Sequence, residues 1–149
     1  MSMIQKTGYD LQAHPAHIIR KVHQRATICF QQAMAGQDLT PTQYAALAAI
    51  LHEGEVSQNQ LGRLTAMDPS TISIVVRKLR KLGLVEKGAS ATDQRLTMLR
   101  LTRTGEDYTL ERMENSVEVG RRLLAPLSPA EQALLLEFLQ KIGDRPTPR

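Results

Sequence analysis

Between Thr40 and Gly83 the sequence starts and stops three helices in quick succession, and this punctuation constrains the fold more than any other feature. Thr40-Pro41-Thr42-Gln43 supplies a hydroxyl for the orphan amides of a first turn, a proline where no amide is needed, and a glutamine placed to close a capping box. The helix it opens carries Tyr44, Leu47, Ala48 and Leu51 and breaks at Gly54. Ser57-Gln58-Asn59-Gln60 repeats the box and opens a short helix holding Leu61 and Leu64. Asp68-Pro69 caps the third, which sets Ile72, Val75, Val76, Leu79 and Leu82 on one face and stops at Gly83.

The period then changes. Leu84–Lys87 and Arg95–Leu101 read as strands, with the small and turn-forming residues Gly88–Asp93 between them, so the segment predicts a β-hairpin. On either side lie longer helices. Ile18, Ile19, Val22, Ala26, Cys29, Phe30, Ala33 and Met34 recur at three and four from Pro15 to about Gly36. Thr102 and Thr104-Gly105-Glu106 return the chain to a long helix containing Tyr108, Met113, Val117 and Leu124, closed near Pro126. Ser128-Pro129-Ala130-Glu131 opens a last helix with Leu134, Leu135, Phe138, Leu139 and Ile142 in line, and residues 1–13, without a clear period, read as a loosely held arm.

Short helix, turn, helix and basic hairpin is the layout of a winged helix-turn-helix. The expected fold class is mainly α (α+β), a winged helix-turn-helix with N- and C-terminal dimerisation helices. The chain reads as a single domain over 1–149, with the winged lobe at 39–105 and dimerisation helices at 14–36 and 106–143. The end helices present apolar stripes that one small lobe would not cover, which predicts a symmetric homodimer.

Charge narrows the partner. The formal net charge is +4, and between Arg77 and Arg103 eight basic residues face only Glu86 and Asp93, while the segment from Glu106 onward is net acidic. Positive charge concentrated on one segment suits a DNA-facing surface. Cys29 is the single cysteine, which excludes an internal disulfide or a cysteine-based zinc finger. Toward the far end of its helix, on the apolar stripe beside Phe30, it reads as a core residue rather than a redox centre. No apolar run approaches a membrane span and no apolar signal stretch follows Met1–Lys6, so a cytoplasmic protein is expected, nucleoid-associated when bound to its operator. His14, His17, His23 and His52 lack metalloprotease spacing, and there is no phosphate-cradling glycine loop; no catalytic residue, metal or cofactor is expected.

With Ile72, Val75, Val76 and Leu79 turned to the core, Ser70, Thr71, Ser73, Ile74, Arg77 and Lys78 point outward from their helix. Hydroxyls and an arginine near a helix start suit major-groove reading, with Arg77 open to either a guanine edge or a phosphate. In the hairpin, Asp93 and Arg95 stand two apart, so an extended strand would put them on one face as a pair, holding the arginine out for the narrow minor groove. Lys87, Ser90 and Thr92, with Gln58 and Asn59 at the start of the preceding helix, are the candidate phosphate contacts. Two competing readings are weighed against this one: an enzyme, for which the residues offer no constellation, and a winged-helix module that binds protein, which would lack a steep salt dependence.

The stretches LTPTQYAALAAI, SQNQLGRLTAMDPSTISIVVRKLRKLGLVEK, DQR and LRLTRTGE resemble the MarR family of bacterial transcriptional regulators, and the likeness extends from about His14 to Ile142. The resemblance implies a homodimer with interlocked terminal helices on a palindromic operator in double-stranded DNA. It implies Pro69–Lys78 as the recognition helix and Arg95 as the wing arginine, oriented by Asp93. It also implies a repressor released by a small, often aromatic and acidic, ligand held between the dimerisation helices and the DNA-binding lobe. His17, Arg20 and Gln24 share one face of the first helix, and with Gln43 and Tyr44 of the second they offer a cation, hydrogen bonds and a ring to an aromatic carboxylate. HIIRKVHQRATICF is similar to the branch of the family linked to aromatic-compound catabolism.

Overall fold

A computed structural model of the chain describes Met1 and residues 3–144. The elements run α1 (Met3–Thr7), a 3-10 turn (Leu11–Ala13), α2 (Pro15–Ala33), α3 (Pro41–Glu53), α4 (Gln58–Leu64), α5 (Pro69–Lys81), β1 (Val85–Ala89), β2 (Thr97–Leu101), α6 (Arg103–Glu111), α7 (Met113–Leu124) and α8 (Pro129–Gly143). The first residues, expected as a loosely held arm, contain local helix, and residues 5–13 are all exposed. A short helix precedes a turn capped by Asp10, whose side chain accepts from the Gln12 amide.

The chain divides into two compact units, Met34–Ser116 and the terminal segments Met1–Ala33 with Val117–Arg149. The central unit owns one aliphatic core. Ala46, Leu47 and Ile50 of α3, Leu61 of α4, and Ile72, Val75, Val76 and Leu79 of α5 meet Val56, Leu84, Val85 and Leu99 there. Leu82 does not join them; it is the cap residue after α5 and lies exposed, because Gly83 takes a left-handed φ of 74° and turns the chain away.

Capping follows the local residues. Thr40 and Ser128 each form a complete capping box, with Gln43 and Glu131 returning the bond. Ser57 accepts from the Gln60 amide without the reciprocal bond, so the second box is half made. The strands pair antiparallel, Val85 opposite Leu101 and Ala89 opposite Thr97. Val56 adds a bridge on the outer side of β2, its amide donating to the Leu99 carbonyl at 3.0 Å and its carbonyl accepting from the Leu99 amide at 2.7 Å.

The hairpin returns to helix through one tight crossing. Thr102 Oγ1 donates to the Gly83 carbonyl at 2.6 Å and accepts from the Gly105 amide at 2.9 Å, while the Thr102 amide reaches the Leu84 carbonyl. A Cβ on Gly105 would sit 1.9 Å from the Leu84 carbonyl oxygen, so only glycine fits.

The long helix expected after Thr102 is two helices broken at Arg112. The Arg112 guanidinium donates at 2.9 Å to the Tyr108 carbonyl, the acceptor its own amide would use in a continuous helix, and that amide turns instead to Thr109 at 3.2 Å. The same guanidinium lies 3.4 Å over the Tyr108 ring and donates to Gln37 Oε1 at 2.9 Å.

In the terminal unit, Cys29, Phe30 and Ala33 are buried, and Cys29 is a fully enclosed free thiol. Ile18, Ile19 and Val22 of α2 and Leu134, Leu136, Phe138, Leu139 and Ile142 of α8 are exposed, so a single chain leaves these stripes uncovered. Among the described residues no helix is long and apolar enough to cross a membrane.

Candidate nucleic-acid interface

The outward face of α5 is set by its cap and its core stripe. Asp68 accepts from the Thr71 amide at 2.7 Å and from Ser70 Oγ at 2.9 Å, and these bonds, the Thr71 amide first, hold its carboxyl below the usual carboxylate range. Ile72, Val75, Val76 and Leu79 are buried, which leaves Ser70, Ile74, Arg77 and Lys78 exposed and Thr71 and Ser73 half-buried. Ser70 spends its proton on Asp68, so outward it presents lone pairs. Arg77 and Lys78 at the far end supply the positive charge.

The hairpin tip carries the second element. Asp93 Oδ1 accepts from the Arg95 amide at 3.0 Å and from Arg95 Nε at 3.1 Å, and Oδ2 accepts from Nη2 at 3.0 Å. The two residues pair, but not across one face of an extended strand. They sit in a turn closed by the Leu96 amide on the Asp93 carbonyl, in which the aspartate grips backbone and side chain together. The Arg95 side chain remains 89% exposed. Its bidentate bond lowers the Asp93 pKa and raises that of Arg95, so both stay charged throughout the neutral range.

Behind the tip stands a cluster that sequence reasoning missed. The Glu55 carboxylate accepts from Ser90 Oγ at 2.9 Å, the Ala91 amide at 3.2 Å and Arg100 Nη2 at 3.0 Å. The Ser90 hydroxyl, then the Ala91 amide, contribute most to holding the Glu55 pKa below its ordinary value. This arrangement removes Ser90 from the candidate phosphate contacts, because the residue is 5% exposed and its hydroxyl proton belongs to Glu55. Thr92 is exposed and within 3.3 Å of Ser90 Oγ. Glu55 and Arg100 are 45 positions apart, so no local pattern joins them; the one sequence signal is a lone carboxylate between two helices followed later by a basic strand residue.

Gln58 and Asn59 at the start of α4 share a shallow groove with Lys87 of β1 and Thr97 of β2. Residues predicted separately as phosphate contacts are thus brought together on one side of the central unit.

The candidate effector residues are divided. His17, Arg20 and Gln24 lie on α2 in the terminal unit, the first half-buried and the other two exposed. Gln43 and Tyr44 lie on α3 in the central unit, where the Gln43 side-chain oxygen accepts from the Thr40 amide. Tyr44 is buried, and burial raises its pKa against a smaller opposing effect from Ser116. Among the described residues no group of three or more His, Cys, Asp or Glu is placed to hold a metal ion.

Residues 37–96, which contain the cap series and the hairpin tip, match the model of the MarR family. A probable transcriptional regulator from Pseudomonas aeruginosa is 40% identical in sequence and superposes with a TM-score of 0.80, covering 89% of this chain and 99% of its own. The chain belongs to the MarR family. The HTH-type transcriptional repressor NicR of Pseudomonas putida is similar at 29% identity over 95% of this chain and 89% of its own length. BpsR of Bordetella bronchiseptica, whose DNA binding is regulated by 6-hydroxynicotinic acid, superposes with a TM-score of 0.85 at 25% identity, over 93% of this chain and 99% of its own. As a MarR-family protein the chain is a winged-helix DNA-binding transcriptional regulator and not an enzyme. Its hairpin is the wing and α5 the second helix of the helix-turn-helix.

Proposed function

We propose that this MarR-family protein is a repressor that binds a palindromic operator as a homodimer and leaves it when a small aromatic acid binds. The observation that carries the reading is the wing tip, where Asp93 holds an exposed Arg95 by backbone and side chain at once. A cation fixed in this way fits the narrow, strongly negative minor groove, and the outward residues of α5 fit the major groove beside it. In this reading Ser70, Thr71, Ser73, Ile74, Arg77 and Lys78 face base edges and nearby phosphates. Gln58, Asn59, Lys87 and Thr92 hold the flanking backbone.

The stripes on α2 and α8, exposed in one chain, are the surfaces a second copy would cover, and a twofold protein matches a twofold operator. The terminal helices of residues 14–36 and 106–143 would then serve dimerisation and residues 39–105 would serve DNA. The aromatic-acid effector is supported by the likeness to BpsR and by residue chemistry: His17, Arg20 and Gln24 on α2 offer a cation and hydrogen bonds, and Gln43 and Tyr44 on α3 an amide and a ring. The protein would work in the cytoplasm, nucleoid-associated while on its operator.

Fluorescence polarisation against the promoter beside its own gene tests the whole reading. The titration is run at two salt concentrations, with and without a panel of hydroxylated aromatic and pyridine carboxylates. Specific binding that weakens steeply with salt and is reversed by one panel member is the expected result. Equal affinity for random duplex would defeat the operator reading, and an unresponsive specific complex would defeat the effector reading alone.

A further inference from the structure

Ile74 projects from the middle of the outward face of α5, with Ser70 one turn before it and Arg77 and Lys78 one turn after. Although it is a large apolar side chain, 62% of its surface is open to solvent. The folded lobe gains little from it, since Ile72, Val75, Val76 and Leu79 already supply the helix's contribution to the core. Helix formation gains nothing either, because a β-branched residue loses rotamer freedom in a helix and is a poorer former than alanine. Its neighbours are hydroxyls and cations rather than other exposed aliphatics, so the face is a polyanion-binding surface with one apolar knob. A duplex offers a single apolar group on the floor of its major groove, the 5-methyl group of thymine; cytosine carries only a hydrogen at that carbon and an amino donor in place of the thymine O4 acceptor.

We propose that Ile74 is a specificity-determining residue that packs against a thymine methyl in each operator half-site. The proposal rests on α5 being the helix that reads the major groove. It adds that this chain selects a T·A pair at the step under its apolar knob, through contact with a methyl that the other bases lack.

Removing the methyl and nothing else tests it. The full chain is used to select a duplex from a randomised pool, and each thymine of the selected duplex is then replaced singly by deoxyuridine, which keeps every hydrogen-bonding group. At one step per half-site the replacement is expected to weaken binding about three- to fivefold, the scale of one buried methyl group. Ile74→Ala is expected to bind the thymine and uracil duplexes equally, and Ile74→Val to discriminate by an intermediate factor. Circular dichroism and the thermal midpoint of both variants should match the parent, since the side chain is exposed. Tolerance of uracil at every position by the parent, or an undiminished thymine preference in Ile74→Ala, overturns the proposal. A pool from which no duplex is enriched overturns the major-groove reading beneath it, a distinct result.

Discussion

Arg100 Nη2 lies 3.0 Å from Glu55 Oε2 and 2.8 Å from the Ala89 carbonyl, so one guanidinium ties the connection between α3 and α4 to both strands of the wing. Glu55→Ala takes away the carboxylate that Ser90, Ala91 and Arg100 share, which should loosen residues 90–96 and weaken operator binding about tenfold without unfolding the lobe. Amide exchange across the tip and a DNA titration would check it. The pH dependence has a definite sign. The folded-state pKa of Glu55 is lowered, so its contribution is complete above the ordinary carboxylate range and is lost as pH falls through the lowered value. The exchange difference between the parent and Glu55→Ala should accordingly vanish in acid and be full at neutrality.

Arg95→Ala should reduce operator affinity about tenfold or more and flatten the slope of log K against log salt by about two units, as expected for one phosphate-proximal charge lost from each subunit of the dimer. Asp93→Asn keeps the cation but weakens the grip on it, so a smaller loss with an unchanged salt slope is expected. An Arg95→Ala protein with parental affinity and slope would remove the wing from the interface.

Gly105→Ala sets two effects against each other. In an exposed helix the change would add about 1 kcal/mol of stability. Here the new Cβ would meet the Leu84 carbonyl at 1.9 Å, contact with backbone that cannot swing aside, and a net loss of about 3 kcal/mol is expected. Denaturant unfolding monitored by circular dichroism would measure it.

Leu47 and Leu82 look alike in the sequence, each on the apolar face of a capped helix. Leu47→Ala should cost about 2–5 kcal/mol, since the side chain is fully buried and its removal leaves a cavity. Leu82→Ala should change stability by no more than about 0.5 kcal/mol, because that side chain is exposed beyond the end of α5. Equal effects in thermal melts would contradict this assignment of the core.

These contrasts show which parts of the molecule could be read in advance. The helix starts at Pro41, Gln58, Pro69 and Pro129 were legible because capping is written within four residues, although Ser57 made only half of its expected box. The Asp93–Arg95 pair was legible for the same reason, while its turn geometry was not, since the aspartate bonds the backbone as well as the side chain. What depends on distant residues left no local mark. Arg112 breaks the long helix partly through Gln37, 75 positions away, and Ser90 is buried under a glutamate 35 positions before it. An exposed-looking serine in a loop and an arginine in a helical run give no hint of either partner.

Because Val56 exchanges both amide bonds with Leu99, the wing is not an appendage hung on a finished helical lobe. Its second strand delivers Leu99 to the centre of the core and satisfies backbone groups that the connection before α4 would otherwise leave bare. A shortened protein ending after α5 would therefore expose a raw aliphatic seam and clump instead of surviving as a minimal reading head. Grafting this tip onto another scaffold would require carrying Glu55 and Val56 along with the hairpin.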